Sequence, residues 1–197
     1  MKASKAKRVS VDGVDASAVI AAARRAIDRP GRGGVSHWDA SGIFQDLCVA
    51  DAAAGAPSAR TLLLLYAADL AFRLRWEIRP ALAAGRTVVA APYVDTAVAF
   101  GRAAGVPAGW LTNLFRFAPP AAERRFVTAA RGASAVDGFV GLASQRVHGI
   151  NRGARRKLIG GAAAHLRAEA KRRARRPRRL SVTTAADRGR GKWRPAL

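Results

Sequence analysis

RVSVDGVDASAVI, residues 8–20, is the stretch whose reading decides the fold. A β-prone run carrying Val9 and Val11 leads into Asp12-Gly13-Val14-Asp15, and an Ala-rich helical run follows from Val19 to Ile27. Strand, short loop and helix in that order are the context of a phosphate-binding loop. A working loop has the pattern G-x-x-x-x-G-K-[ST], whose glycines open the backbone N–H groups to phosphate and whose last two residues supply an ammonium and a Mg²⁺-binding hydroxyl. Counted from Gly13, the second glycine falls on Ala18, the lysine on Val19 and the hydroxyl on Ile20. The context is present and the phosphate-binding chemistry is missing.

The chain has 197 residues, half of them hydrophobic, which suits one globular domain with an extension. Its apolar content is mostly Ala, Leu and Val, which favours helices. A single cysteine, Cys48, excludes an internal disulfide and a cysteine-only metal site, and its apolar neighbours predict a buried thiol. The first residues are basic without a following apolar region, so a secretory signal is not expected. The longest apolar stretch, Thr61 to Phe72, is too short to span a bilayer. These features predict a soluble, cytoplasmic protein.

The net charge of +22 is unevenly placed: residues 151–197 hold 16 Lys/Arg against 2 Asp/Glu, a net of +14. The expected division is therefore a domain over 8–150 and a basic segment over 151–197, helical and then disordered. Leu158, Ala162, Leu166 and Ala170 form a narrow apolar stripe on the basic helix, which Pro177 should end. Arg155, Arg156, Lys157, Lys171, Arg172, Arg173, Arg175, Arg176, Arg178 and Arg179 are the candidates for binding nucleic acid or another polyanion. No reader motif accompanies them, so such binding would be sequence-independent and salt-sensitive. A purely solvated basic extension is the alternative.

Between these ends, helices and short apolar strands alternate. Leu62, Leu65, Tyr66, Asp69, Phe72, Trp76, Arg79 and Leu82 run at helical spacing, with Ser58 as N-cap and Gly85 as C-terminal stop. Val9 to Asp12 and Thr87 to Ala91 read as buried strands. A further helix starts at Asp95 or Thr96, and a shorter one is expected near Ser41 to Ala53. The segment from Gly109 to Phe117 reads either as a helix or, over Leu114 to Ala118, as a strand. Pro119-Pro120 is expected to open a helix through Glu123 to Arg131.

Thr61 to Phe100, TLLLLYAADLAFRLRWEIRPALAAGRTVVAAPYVDTAVAF, resembles the centre of thymidylate kinases. In that family a helix with an AADR-like motif ends in an IRPAL-A-G turn, and the next strand ends in Asp-Arg-Tyr before x-x-Ser-x-x-Ala-Tyr. Ile78 to Leu82, Gly85, Tyr93 and Ala99 match, with Thr96 and Phe100 as conservative replacements. Arg8 to Ile20 resembles the family's phosphate loop, Asp15 included, and Pro30 to Gly34 and Pro119 to Gly132 resemble its flanks. The resemblance implies a three-layer α/β, P-loop kinase-like domain with a mostly parallel sheet, followed here by the basic C-terminal tail.

The same resemblance implies phosphoryl transfer from ATP–Mg²⁺ to a nucleoside monophosphate, and a dimer as one oligomeric state. That chemistry rests on positioned charge. The charges it needs are replaced here by Val19, Ile20, Ala91-Pro92, Leu70 after the retained Asp69, and Gly138 in the lid-like Asp137-Gly138-Phe139-Val140. The remnants of a nucleotide site are then Asp12, Gly13, Asp15, Ser17, Val19, Ile20, Asp69, Leu70, Phe72, Ala91, Tyr93 and Thr96. The expectation is a kinase-like protein impaired in catalysis that binds a nucleotide, polyanion or protein partner. An active dTMP kinase with substitute residues is the alternative, and only it would require ATP and Mg²⁺ as cofactors.

Several remnants have a second reading. Asp12 and Asp15 could hold a metal, or Asp15 could cap the following helix, for which Ser17 is a further candidate. Asp69 is either a nucleotide-site acid or the i,i+4 partner of Arg73. Phe72 or Trp38 could wall a base pocket or belong to the core. His37, His148 and His165 show no metal spacing, and no metal site is expected.

Overall fold

The computed structural model describes residues 6–27, 33–44, 46, 57–127, 138–146 and 151–175. Cys48, Asp137, Arg176, Arg178, Arg179 and most of the helix expected over 41–53 lie outside the described residues.

Four strands, β1 (Arg8–Gly13), β2 (Gly33–His37), β3 (Thr87–Ala91) and β4 (Glu123–Val127), form one parallel sheet in the order β2-β3-β1-β4. The central pair is in register Val9 to Val89. Both are buried on each face, which is why they read as near-continuous apolar runs.

One face of the sheet is covered by α1 (Ala16–Arg25), which packs Val19, Ala23 and Ala26 on Val9, Val11, Val89 and Ala91. The other face carries α2 (Ala59–Arg73), α4 (Val94–Ala103), α6 (Phe139–Arg146) and α7 (Arg152–Arg175). The result is three layers around a parallel sheet, as the sequence predicts. Helix α2 starts where Ser58 accepts from the Thr61 N–H at 3.1 Å. It runs on through a π-helical turn, Leu74–Ile78, into the short α3 (Arg79–Ala83), and Gly85 ends it with φ of 74°.

Helix α7 is not merely appended. Leu158, Ala162 and Leu166 are buried in the same core as Phe100 and Phe139. A Cβ on Gly161 would sit 3.1 Å from that of Ala103, so α7 lies close on α4.

Two local expectations are corrected, and one open alternative is decided in favour of a helix. Glu123–Val127 is a strand, not the opening of a helix: pairing to β1 from Val9–Glu123 to Gly13–Val127 overrides the helix-start reading of Pro119-Pro120. Residues Ala108–Leu114 form helix α5, and no strand occupies Leu114 to Ala118. Strand β2 lies where the sequence reading places no strand. Gly33 fits because a side chain there would meet the Thr87 carbonyl oxygen at 2.9 Å.

Candidate functional site

In open parallel sheets, ligands bind beyond the carboxyl ends of the strands. Here that edge brings together Asp12 and Gly13 from β1, Ser36 and His37 from β2, Ala91 from β3, and Val127 from β4. Most of the sequence-predicted remnants converge on it.

The loop between β1 and α1 is very short. The strand ends at Gly13 and the helix begins at Ala16, so Val14 and Asp15 alone connect them. The Asp15 carboxylate accepts from the Ala18 N–H at 3.0 Å, which settles Asp15 as the N-cap. Ser17 is exposed on the first turn and Ile20 is half-buried. Val19, at the lysine position, turns into the core beneath α1 with 1% exposure. A Cβ on Gly13 would lie 2.8 Å from Val19 Cγ2 and 3.0 Å from the Val127 carbonyl oxygen. Gly13 therefore serves close packing of strand, helix and neighbouring strand.

The space left in front of this loop is about 30 Å³, bounded by Val14, Ala16, Val19, Ile20, Pro92 and Phe139, among others. That is room for about two water molecules. Small-molecule sites usually span roughly 300–1,000 Å³. Gly138, at the lid-arginine position, also lies against the loop: a Cβ there would meet Ala16 Cβ at 2.9 Å. Behind it, Phe139 packs against Trp38, Phe44, Tyr66 and Phe100 at centroid separations of 4.4–6.1 Å. Trp38 is thus a core-edge residue in an aromatic cluster.

The retained acids are occupied. One oxygen of Asp12 accepts from the Tyr93 N–H at 2.9 Å, the Thr96 N–H at 3.0 Å and the Thr96 hydroxyl at 2.9 Å. The other, Oδ2, is buried without a partner among the described residues. Burial, and secondarily the charge of Asp95, push the Asp12 carboxyl up to about 6 against these hydrogen bonds. Asp95 is itself raised by burial and held back by Arg124 at 3.1 Å.

Asp69 pairs with Arg73 at 3.0 Å, both fully buried, and accepts from the Ser41 N–H and hydroxyl at 3.0 Å. Arg73 Nη1 donates to the Pro92 and Ser36 carbonyl oxygens at 3.0 and 3.3 Å, which ties the ends of β2 and β3 together. Sequence reasoning found the Asp69–Arg73 spacing but not this second role. Its signal was only an arginine on the apolar side of a helix.

Leu70 is buried core. Tyr93 donates its hydroxyl to the Pro119 carbonyl oxygen at 2.7 Å, and its own carbonyl accepts from Tyr66 at 2.6 Å. Phe72 does not join the site: it is 39% exposed on α2, whereas Asp69 and Arg73 are fully buried. Among the described residues no cluster of His, Cys, Asp and Glu has the makings of a metal site, and no helix is long and apolar enough to cross a membrane.

Of the tail candidates, Arg156, Lys157, Lys171, Arg172, Arg173 and Arg175 are exposed on α7 and Arg155 is half-buried. Glu169 pairs with Arg172 and, at 2.7 Å, with Arg173. Arg167, which the sequence reading passed over, is exposed and aligns with Lys171 and Arg175 at i+4 spacing. A groove of about 780 Å³ between α4, α5 and α7 has Leu111, Phe115 and Leu166 buried beneath it and exposed Arg102, Arg116 and Arg172 among its walls.

No protein-family model matches the chain, and no curated protein sequence does. Among solved structures, the thymidylate kinase of Ehrlichia chaffeensis is similar in fold, with a TM-score of 0.62, 11% identity, and coverage of 87% of this chain and 90% of that one. The fold is thymidylate-kinase-like.

Proposed function

We propose that this chain is a thymidylate-kinase-like scaffold that has lost phosphoryl transfer and acts by binding polyanions, nucleic acid first, through the outward face of α7. The observation that carries the first half is the closed crevice. A loop of two residues and about 30 Å³ of apolar-walled space stand where a triphosphate would lie. The residues present do not fit ATP–Mg²⁺. Val19 offers no ammonium, Ile20 no hydroxyl, and Asp12 and Asp69 are committed to backbone and arginine partners. Removing one well-placed electrostatic group costs such reactions about 10²–10³ in rate, and several are absent together.

The binding half rests on α7. Its 24 residues carry nine Lys/Arg and one Glu. Arg156, Lys157, Arg167, Lys171 and Arg175 project outward with no ion-pair partner among the described residues. A helix of that length is about 36 Å long, long enough to lie along several phosphates. Contact with phosphates alone gives binding without sequence preference and releases counterions.

Two measurements test the two halves separately. Incubation with ATP–Mg²⁺ and dTMP should yield no dTDP, and neither ligand should raise the melting temperature. Turnover or stabilisation by both ligands overturns the first half. Binding to a fluorescent DNA duplex, titrated with salt, should weaken steeply. In the triple variant Arg167→Ala, Lys171→Ala, Arg175→Ala the slope of log K against log salt should fall by about 2.7. No binding at low salt, or an unchanged slope, overturns the second.

A further inference from the structure

The groove of about 780 Å³ between α4, α5 and α7 has no part in either half of the proposed function. Helices α4 and α7 run antiparallel beside it. Gly161 lies close to Ala103 at one end, and the charge of Glu169 reaches Asp95 at the other. The walls extend from Val94 to Arg102 on α4 and from His165 to Arg172 on α7. At 1.5 Å per residue that is a length of about 10–12 Å. Helix α5 closes the third side. The floor is apolar, with Ala99, Leu111, Phe115 and Leu166 buried beneath it and Val94 and Val98 half-buried.

The rim carries one arginine from each element. Arg102 sits in the last turn of α4, Arg116 just beyond α5 and Arg172 near the end of α7, and all three are exposed. Arg102 and Arg116 have no carboxylate partner among the described residues. The two acids in the walls are already engaged, Asp95 by Arg124 at 3.1 Å and Glu169 by Arg172 and Arg173. An apolar floor thus lies inside a rim of unanswered positive charge.

We infer that this groove docks an acidic amphipathic helix of a partner protein, about two turns long. Its apolar side chains at i, i+3, i+4 and i+7 lie on the floor, and Asp or Glu on its flanks meets Arg102 and Arg116. Charge selects this occupant over the others. A second copy has no acidic face to offer, because Asp46 is the only exposed carboxylate among the described residues. The chain's own residues 176–197 carry seven Lys/Arg against one Asp, so the rim repels them. A nucleic-acid strand meets Asp95 and Glu169 in the walls and finds no open aromatic face to stack on, since Phe115 is 5% exposed. Arg167, Lys171 and Arg175 lie outside the groove, so the inference stands apart from the nucleic-acid reading of α7.

Selection of a random peptide library, roughly 16 residues in length, on the full chain tests it. Enriched peptides should be acidic and should repeat large apolar residues at helical spacing. The strongest, labelled with fluorescein and followed by anisotropy at physiological salt, should bind about tenfold or more tightly than a scramble of the same composition. That comparison is needed because a chain of net charge +22 attracts any acidic peptide. Ala168→Trp, at an exposed position on the groove wall, fills the groove and should abolish binding with an unchanged circular-dichroism melt. Arg102→Glu with Arg116→Glu should weaken binding by about tenfold or more. The charge-matched pair Arg167→Glu, Lys171→Glu, outside the groove, should weaken it far less. Equal binding of the scramble, binding that survives Ala168→Trp, or equal losses in the two charge pairs overturns the inference and leaves a general attraction of acids to a basic protein. No enrichment, or enrichment of peptides without the acidic helical pattern, overturns it as well. A DNA duplex whose affinity falls in Ala168→Trp would give the groove to nucleic acid and also overturn it.

Discussion

Replacing Asp12 by Asn should change how stability depends on pH, and the structure sets the size. The carboxyl is fully buried, and its folded-state value rises from 3.8 to about 6. The folded protein therefore holds this proton more tightly than the unfolded chain. Its contribution to stability is present below about pH 4 and drains away as pH climbs to about 6; above that the buried charge is a constant cost. At 1.36 kcal/mol per pKa unit the cost is about 3 kcal/mol. Asparagine keeps the oxygen that accepts from Tyr93 and Thr96 and removes the titration. Its amide replaces Oδ2, which has no partner among the described residues, and that mismatch costs about 1–3 kcal/mol at every pH. The slope is therefore the readout, not the offset. Urea unfolding followed by tryptophan fluorescence, on both proteins from pH 4 to 7.5, should show the variant gaining about 3 kcal/mol relative to the parent across that range. A difference that stays flat would refute the placement of Asp12 as a buried, charge-strained group.

Other changes test the packing. Arg73→Met leaves Asp69 buried without its cation and should cost about 3–5 kcal/mol in chemical denaturation, much of it recovered when Asp69→Asn is added. Gly101→Ala places a methyl 2.6 Å from Leu111 Cδ2 and 3.0 Å from Leu63 Cδ1, and should cost about 1–3 kcal/mol. Gly34→Ala, with open space, makes the matched control. Val19→Lys with Ile20→Ser restores the lysine and hydroxyl of a phosphate loop but buries an ammonium at a core position. A thermal melt should show loss of stability of at least about 2 kcal/mol, and no ATP hydrolysis should appear.

The fold class was readable because strong local signals agreed. Two apolar strand runs, a helix capped by Ser58 and Gly85, and the strand–loop–helix at Arg8 to Ile20 each satisfy their own backbone chemistry. Both flanking strands were missed for a shared reason. Glu123–Val127 and Gly33–His37 lie at the sheet edges, pair on one side, and carry arginine or glycine where central strands carry valine. Their extended form comes from β1 and β3, not from their own residues. In the candidate site, the missing lysine, hydroxyl and arginines were visible as letters, and so was the Asp69–Arg73 spacing. That Phe72 is exposed was not visible, because a single aromatic at helical spacing fits either side of a helix within a few residues.

The sequence by itself determined which charged side chains are absent from the positions of the resemblance. A side chain without an ammonium or carboxylate cannot acquire one by folding, so Val19, Ile20, Leu70 and Pro92 fix that loss wherever they sit. Only the tertiary structure decided what occupies the space. The closure by Val19, Gly13, Gly138 and Phe139 depends on contacts between residues more than a hundred positions apart. The commitment of Asp12 to the backbone of Tyr93 and Thr96 joins residues 81 and 84 positions apart, and distances of that kind are set by the packing of the sheet and its helices.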